Sequence, residues 1–103
     1  MVYSKEKDLV RDIVSYINIH KGFSATSQES KGGGYADIQC TYNSKIFYIE
    51  VKHNHKLTTN QIWKAKKLKF INNIDTYLAK NLDDTKNILC KVERGLINKG
   101  DYL

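Results

Sequence analysis

Two stretches of strict alternation, residues 35–42 and 45–52, flank Asn43 and Ser44 and constrain this chain more than any other feature. Side chains on a strand point to opposite faces in turn, so a period of two means one buried and one polar face. Ile38, Cys40, Phe47, Ile49 and Val51 share a face that must be core, and Asp37, Gln39, Tyr48, Glu50 and Lys52 share the other. Asn-Ser suits a two-residue hairpin turn, though less well than Asn-Gly. Tyr42 then pairs with Lys45, and counting back along both strands sets Asp37 opposite Glu50. Like charges directly opposite on a sheet are destabilising. A divalent cation between them removes the repulsion and takes both as hard oxygen ligands. Lys52 lies two residues beyond Glu50 and projects from the same face. An ammonium there can hold an attacking water or offset charge in a transition state. The ordinary alternative is a solvated sheet face with alternating charges. A second carboxylate in register, and a sheet covered on both sides, set this face apart from that.

The length, 103 residues, suits one domain spanning 1–103. Proline is absent and no segment reads as a linker, a repeat or a low-complexity tract. No apolar run approaches the roughly 20 residues that cross a bilayer. The first residues lack the apolar stretch of a signal peptide, so a cytoplasmic protein with no membrane partner is expected. Cys40 and Cys90 are too few and too far apart for a disulfide framework and read as small buried hydrophobes in a reducing compartment. Abundant Lys, Asn and Ile point to an AT-rich genome, that of a phage or low-GC bacterium. The net charge of +6 favours a polyanionic partner, most often nucleic acid. Fifteen of the seventeen basic residues are lysine. Lysines make point-charge phosphate contacts, so backbone binding without base reading is the expectation.

Around the hairpin, a helix is predicted over 5–20, with Ser4 as N-cap and an apolar stripe of Leu9, Val10, Ile13, Val14 and Ile17. Residues 23–29 read as an edge strand, and 30–34 as a glycine-rich loop that a strand follows, unlike a dinucleotide or Walker loop. Thr58 and Gln61 form a capping-box pattern that opens a second helix. Ile62, Trp63, Ala65, Leu68, Phe70 and Ile71 supply its apolar surface; Trp63, with Tyr48 and Tyr35, can stack on bases or pack in the core, and the core is the expectation for Trp63. Lys64, Lys66, Lys67 and Lys69 crowd the remainder. A strand over 75–80 and a third helix follow. Asp83 or Asp84 is the expected cap of that helix, Ile88, Leu89 and Val92 its inner face, and Gly95 its stop. The order α-β-β-β-α-β-α makes an α/β protein with a mixed sheet flanked by helices on both faces.

Other polar residues bear on the same chemistry. Glu6 aligns with the apolar stripe of the first helix and so points inward, or else serves the helix dipole from the first turn. Gln61 closes its capping box and also starts a helix just after Lys52, within reach of the metal site; the two roles are compatible. His53 and His55 stand in a loop without a third ligand nearby. Lys31, Lys56, Lys64 and Lys67 are the candidate DNA contacts.

Glu6, then Gly-Gly-Tyr-Ala-Asp37, then Tyr-Ile-Glu50-Val-Lys52, then Thr58-x-x-Gln61 resembles the PD-(D/E)xK nuclease superfamily. Within it the chain looks most like a stand-alone virus-type replication-repair nuclease domain, and Holliday junction resolvases share the skeleton. The resemblance covers about residues 6–89. It implies a restriction-endonuclease-like fold and a catalytic set of Asp37, Glu50, Lys52 and Gln61. It also implies Mg²⁺, with Mn²⁺ as substitute, held by Asp37, Glu50 and the Val51 carbonyl and supported by Glu6. The implied activity is endonucleolytic hydrolysis of DNA, selective for branched structures such as junctions or flaps, by a homodimer. Where the family carries Pro before the metal-binding Asp, this chain has Ala36. The alternatives are a non-catalytic DNA-binding module or a phage-type protein-interaction module on the same fold.

Overall fold

A computed structural model of the chain describes residues 6–28, 36–53 and 56–95. Along it run α1 (Glu6–Asn18), β1 (Phe23–Ser27), β2 (Ile38–Tyr42), β3 (Lys45–Val51), α2 (Thr59–Asn72), β4 (Thr76–Ala79) and α3 (Leu82–Arg94). Element order and mixed α/β architecture are those the sequence predicts. The Ser4 cap, the 30–34 loop with Lys31, His55 and the tail from residue 96 lie outside the described residues.

The sheet has the order β1-β2-β3-β4. β1, β2 and β3 form an antiparallel meander, and β4 returns parallel to β3 after α2. The β2–β3 hairpin closes as expected, with Tyr42 facing Lys45 and Ile38 facing Ile49. Asn43 and Ser44 both sit at positive φ, 49° and 68°. That is the backbone of a type I′ turn, whose twist matches the strands it joins. Gly22, at φ 87°, lets the chain swing from α1 into β1 with its Cα packed close to the Tyr42 ring.

One face of the sheet is apolar. Ile38, Cys40, Phe47, Ile49, Val51, Tyr77 and Ala79 pack there against Leu9, Val10, Ile13 and Ile17 of α1 and Ile88 and Leu89 of α3. Phe23 stacks on Tyr42, and Phe47 meets Tyr77 edge to face. The Cys40 thiol is deep enough in this layer for burial to push its pKa up to about 12, so it stays a neutral hydrophobe.

α2 lies on the opposite, polar face and departs from expectation. Only Ala65 is fully buried along it, while Trp63, Phe70 and Ile71 are exposed. Its apolar residues are spread around the helix instead of forming one stripe, so no single orientation buries them all. Two polar clasps hold it instead. Gln61 bonds Glu50 near its start, and Lys69 Nζ reaches the buried Asp75 carboxylate at 2.8 Å near its end. The α3 cap also differs from expectation. Asn81, not Asp83 or Asp84, accepts the Asp84 N–H, and the Asp84 carboxylate accepts the Lys80 N–H in return. Cys90 faces outward and is exposed, contrary to its expected burial.

Ser44 holds a left-handed conformation that costs a residue with a Cβ about 1 kcal/mol. Ser44→Gly is expected to stabilise the protein by about 0.5–1 kcal/mol in urea unfolding, and a loss of stability would refute the turn geometry.

Candidate active site

The last residues of β3 collect most of the polar side chains that the sequence singles out. Glu50 sits in mid-sheet, with β2 on one side and Leu78 of β4 opposite on the other. α2 closes over it, leaving the residue 3% exposed. Asp37 stands one residue before β2, where the ladder has just ended at Ile38–Ile49. Its carboxylate therefore does more than face Glu50 across a strand pair. Oδ2 accepts the Val51 N–H at 2.8 Å, and its carbonyl accepts the Gln28 N–H at 2.8 Å. The side chain is thus tied to β3 and the main chain to the residue after β1.

Burial is the main cause raising the Glu50 pKa, to about 8. The neighbouring Asp37 charge and a hydrogen bond to it raise it further, Glu6 adds a little, and the Lys52 ammonium works the other way. The neutral Glu50 carboxyl can donate to Asp37, and with its pKa raised to about 8 it keeps its proton at neutral pH when no metal is bound. Lys52 follows β3 directly, half-buried, with its N–H on the Ala79 carbonyl at 3.1 Å.

Gln61 serves both roles that its position allows. Its N–H bonds the Thr58 hydroxyl and its Oε1 accepts the Thr58 N–H at 2.9 Å, completing the capping box. With the oxygen so engaged, Nε2 points at Glu50 Oε1, 3.1 Å away. Glu6 opens α1 and its Oε1 accepts the His53 N–H at 3.0 Å. This brings the helix to the end of β3 and its charge within range of Glu50. Lys56 is exposed just ahead of α2, while Lys64 and Lys67 line the groove that contains Glu50 and Gln61.

The donor set suits a hard divalent cation in one respect. A carboxyl that burial and a neighbouring carboxylate keep protonated regains its charge when a cation takes the proton's place. Among the described residues no group of three Asp, Glu, His or Cys is placed to hold a metal. Glu6 stays with the His53 amide and stands beside the pair. Asp37 and Glu50 would be the side-chain donors for such an ion, and water or substrate would complete its shell, as Mg²⁺ commonly requires.

Two residues beside this site stand out: Trp63, for which the sequence favours the core over base stacking, and Thr76, which carries no functional reading from the sequence. Trp63 is 56% exposed on the groove wall, with Lys67 Nζ 5.0 Å from its ring centroid. Thr76 lines the floor, in register with Tyr48 on the polar face. Charged neighbours of an aromatic on a helix are a readable signal for the first. Nothing local in the sequence marks the second.

The Glu50 carboxyl titrates near 4.5 in an unfolded chain and near 8 when folded, so between these values the native state holds the extra proton. Stability accordingly falls as pH rises through that window. In EDTA the Tm should decline between about pH 5 and about pH 8.5, and Mn²⁺ should recover it at the alkaline end. Glu50→Gln should remove both the slope and the recovery. A wild-type Tm that is flat in pH and indifferent to Mn²⁺ would contradict the retained proton.

No protein-family model matches this chain, and neither the curated proteins nor the solved structures contain a match to it.

Proposed function

We propose that the chain is a divalent-metal-dependent deoxyribonuclease of the PD-(D/E)xK kind, acting on branched DNA as a homodimer in the cytoplasm. One observation carries this reading. The buried Glu50 carboxyl and the partly buried Asp37 meet beside the Lys52 ammonium, under a helix with four lysines and no acid. A purely structural carboxylate pair is a liability in that position, because burial and mutual repulsion both act against it. In a metal-dependent phosphodiester hydrolase the same arrangement has a use, to hold the ion and place a cation beside the scissile phosphate.

The reaction is hydrolysis. A water oxygen bonds to phosphorus, the bond from phosphorus to one sugar oxygen breaks, and a phosphomonoester and a hydroxyl are left. When bound, Mg²⁺ or Mn²⁺ would act as Lewis acid toward the phosphate and lower the pKa of water. Asp37 and Glu50 would hold that ion. Two backbone-anchored contacts keep them in place, Val51 N–H on Asp37 and the cap-locked Gln61 amide on Glu50. Lys52 orients the attacking water or offsets the charge that builds on the phosphoryl oxygens. Glu6 fixes the main chain just beyond Lys52 through the His53 amide. Lys56, Lys64 and Lys67 meet backbone phosphates, which gives salt-sensitive affinity with little base preference. One small subunit covers little of a branched substrate, and two symmetric cuts need two sites, hence a C2 dimer.

Asp37→Asn and Lys52→Ala should each lower Mg²⁺-dependent cleavage of a four-way junction or flap by roughly 10³-fold while DNA binding persists. Tight, salt-sensitive binding by the wild type with no cleavage in Mg²⁺ or Mn²⁺ would instead identify a non-catalytic DNA-binding module. Absence of DNA affinity at low salt would identify a protein-interaction module.

A further inference from the structure

Between its two clasps α2 stands off the sheet, and a groove of about 270 Å³ opens beneath it. Ala36, Glu50 and Thr76 line it from the sheet side, and Trp63, Lys67 and Ile71 from the helix side. Pockets for drug-sized ligands run to roughly 300–1,000 Å³, so this one has room for a single heterocyclic ring and not for a duplex.

Three independent features describe the occupant. The first is a flat π surface, since more than half of Trp63 is exposed on the wall. The second is charge. α2 carries Lys64, Lys66, Lys67 and Lys69 without one acidic residue, and Lys67 sits over the Trp63 ring. The third is a buried polar atom with nothing to bond. Thr76 is 3% exposed, and among the described residues its Oγ1 has no hydrogen-bond partner. Buried hydroxyls are nearly always paired, and an unpaired one on a residue that lines a groove is a place where a ligand's donor or acceptor can be met. A second copy of the chain fits poorly, because it would set two lysine-rich helices against each other. An anionic ligand with a flat ring and polar ring edges meets all three features.

We propose that the groove takes an unpaired nucleobase from the strand being cut. The base stacks on Trp63, its edge bonds Thr76 Oγ1, and its flanking phosphates lie on Lys64 and Lys67. This rests on the nuclease reading, which puts the neighbouring phosphate at Glu50, and it narrows the substrate. The nucleotide beside the cut must already be out of the helical stack, as in a flap, a loop or the branch point of a junction, because a base held in a duplex cannot enter. Stacking accepts any base, so the requirement is for an unpaired nucleotide and not for a sequence.

Trp63 is the single tryptophan, so its emission reports on the groove alone. The protein is titrated in EDTA with a short oligothymidylate, a matched blunt duplex, and the same duplex carrying a three-nucleotide bulge. Quenching by the oligothymidylate and the bulged duplex, with none at saturation by the matched duplex, is expected. Trp63→Ala, its fold checked by circular dichroism, should weaken single-strand binding about tenfold by anisotropy and leave matched-duplex affinity unmoved. Trp63→Phe should recover part of the loss. Thr76→Val should raise the Tm of the free protein by removing the orphan hydroxyl, yet weaken single-strand binding severalfold. Unchanged emission on saturation with single strand would overturn the proposal. So would equal weakening of both DNAs by Trp63→Ala, or a dimer-to-monomer change in sedimentation with DNA affinity intact. Quenching without Mn²⁺-dependent cleavage would uphold the groove and sink the nuclease reading. Cleavage with neither quenching nor a Trp63→Ala effect would do the reverse.

Discussion

A carboxyl group in the middle of a β-sheet, covered by a helix and facing a second carboxylate, is the constraint around which this protein is arranged. Left in water, Glu50 and Asp37 would both ionise and repel. Under α2, burial and the neighbouring charge make the pair hold a proton at neutral pH. The backbone supplies what the charges do not. The Val51 amide fixes Asp37 at the point where the strand ladder runs out, and the Gln61 amide fixes Glu50 from above. Such an arrangement persists because the rest of the fold over-determines it, and strained polar groupings of this kind gather at sites with a function.

That support comes from a division of labour between the two faces of the sheet. The face under α1 and α3 is continuous hydrocarbon, with four aromatic rings interlocked along β1–β4 and no charged side chain within it. It supplies the stability that lets the other face be built from polar contacts. On that other face α2 contributes little apolar burial and is held by hydrogen bonds and by an ion pair from the half-exposed Lys69 to the buried Asp75. Truncating a core side chain such as that of Ile49 to alanine costs about 2–5 kcal/mol in most cores. Polar contacts of the kind that hold α2 contribute about 1 kcal/mol each, so α2 is the element most easily displaced.

The hairpin was legible in the sequence because a period of two and a tight turn at Asn43–Ser44 are local signals. Their agreement sets the register without reference to the rest of the chain. The grouping of Glu50 and Lys52 followed from that period alone. The bond from Asp37 to the Val51 amide was not legible, because it joins a side chain to the main chain just where the ladder that periodicity describes has ended. Trp63 reads as core by composition, yet a helix whose apolar residues circle its axis must leave some of them outside. Asn81 lost to Asp83 and Asp84 because all three residue types cap helices, and the choice among them is made by where β4 stops. Thr76 could not be found from sequence, since a parallel register depends on a crossover whose geometry no local pattern encodes.

Gln61 joins two events that are usually separate. Its one amide completes the first turn of α2 through Thr58 and also reaches the Glu50 carboxyl. Starting a helix is its most unfavourable step, so a contact in the opening turn governs whether the whole segment winds. By linkage, whatever changes the ionic state of Glu50 also changes how firmly α2 is wound, and fraying of α2 in turn loosens the carboxylate's orientation. A change of charge at Glu50 is thus coupled to fourteen residues of helix through a single side chain.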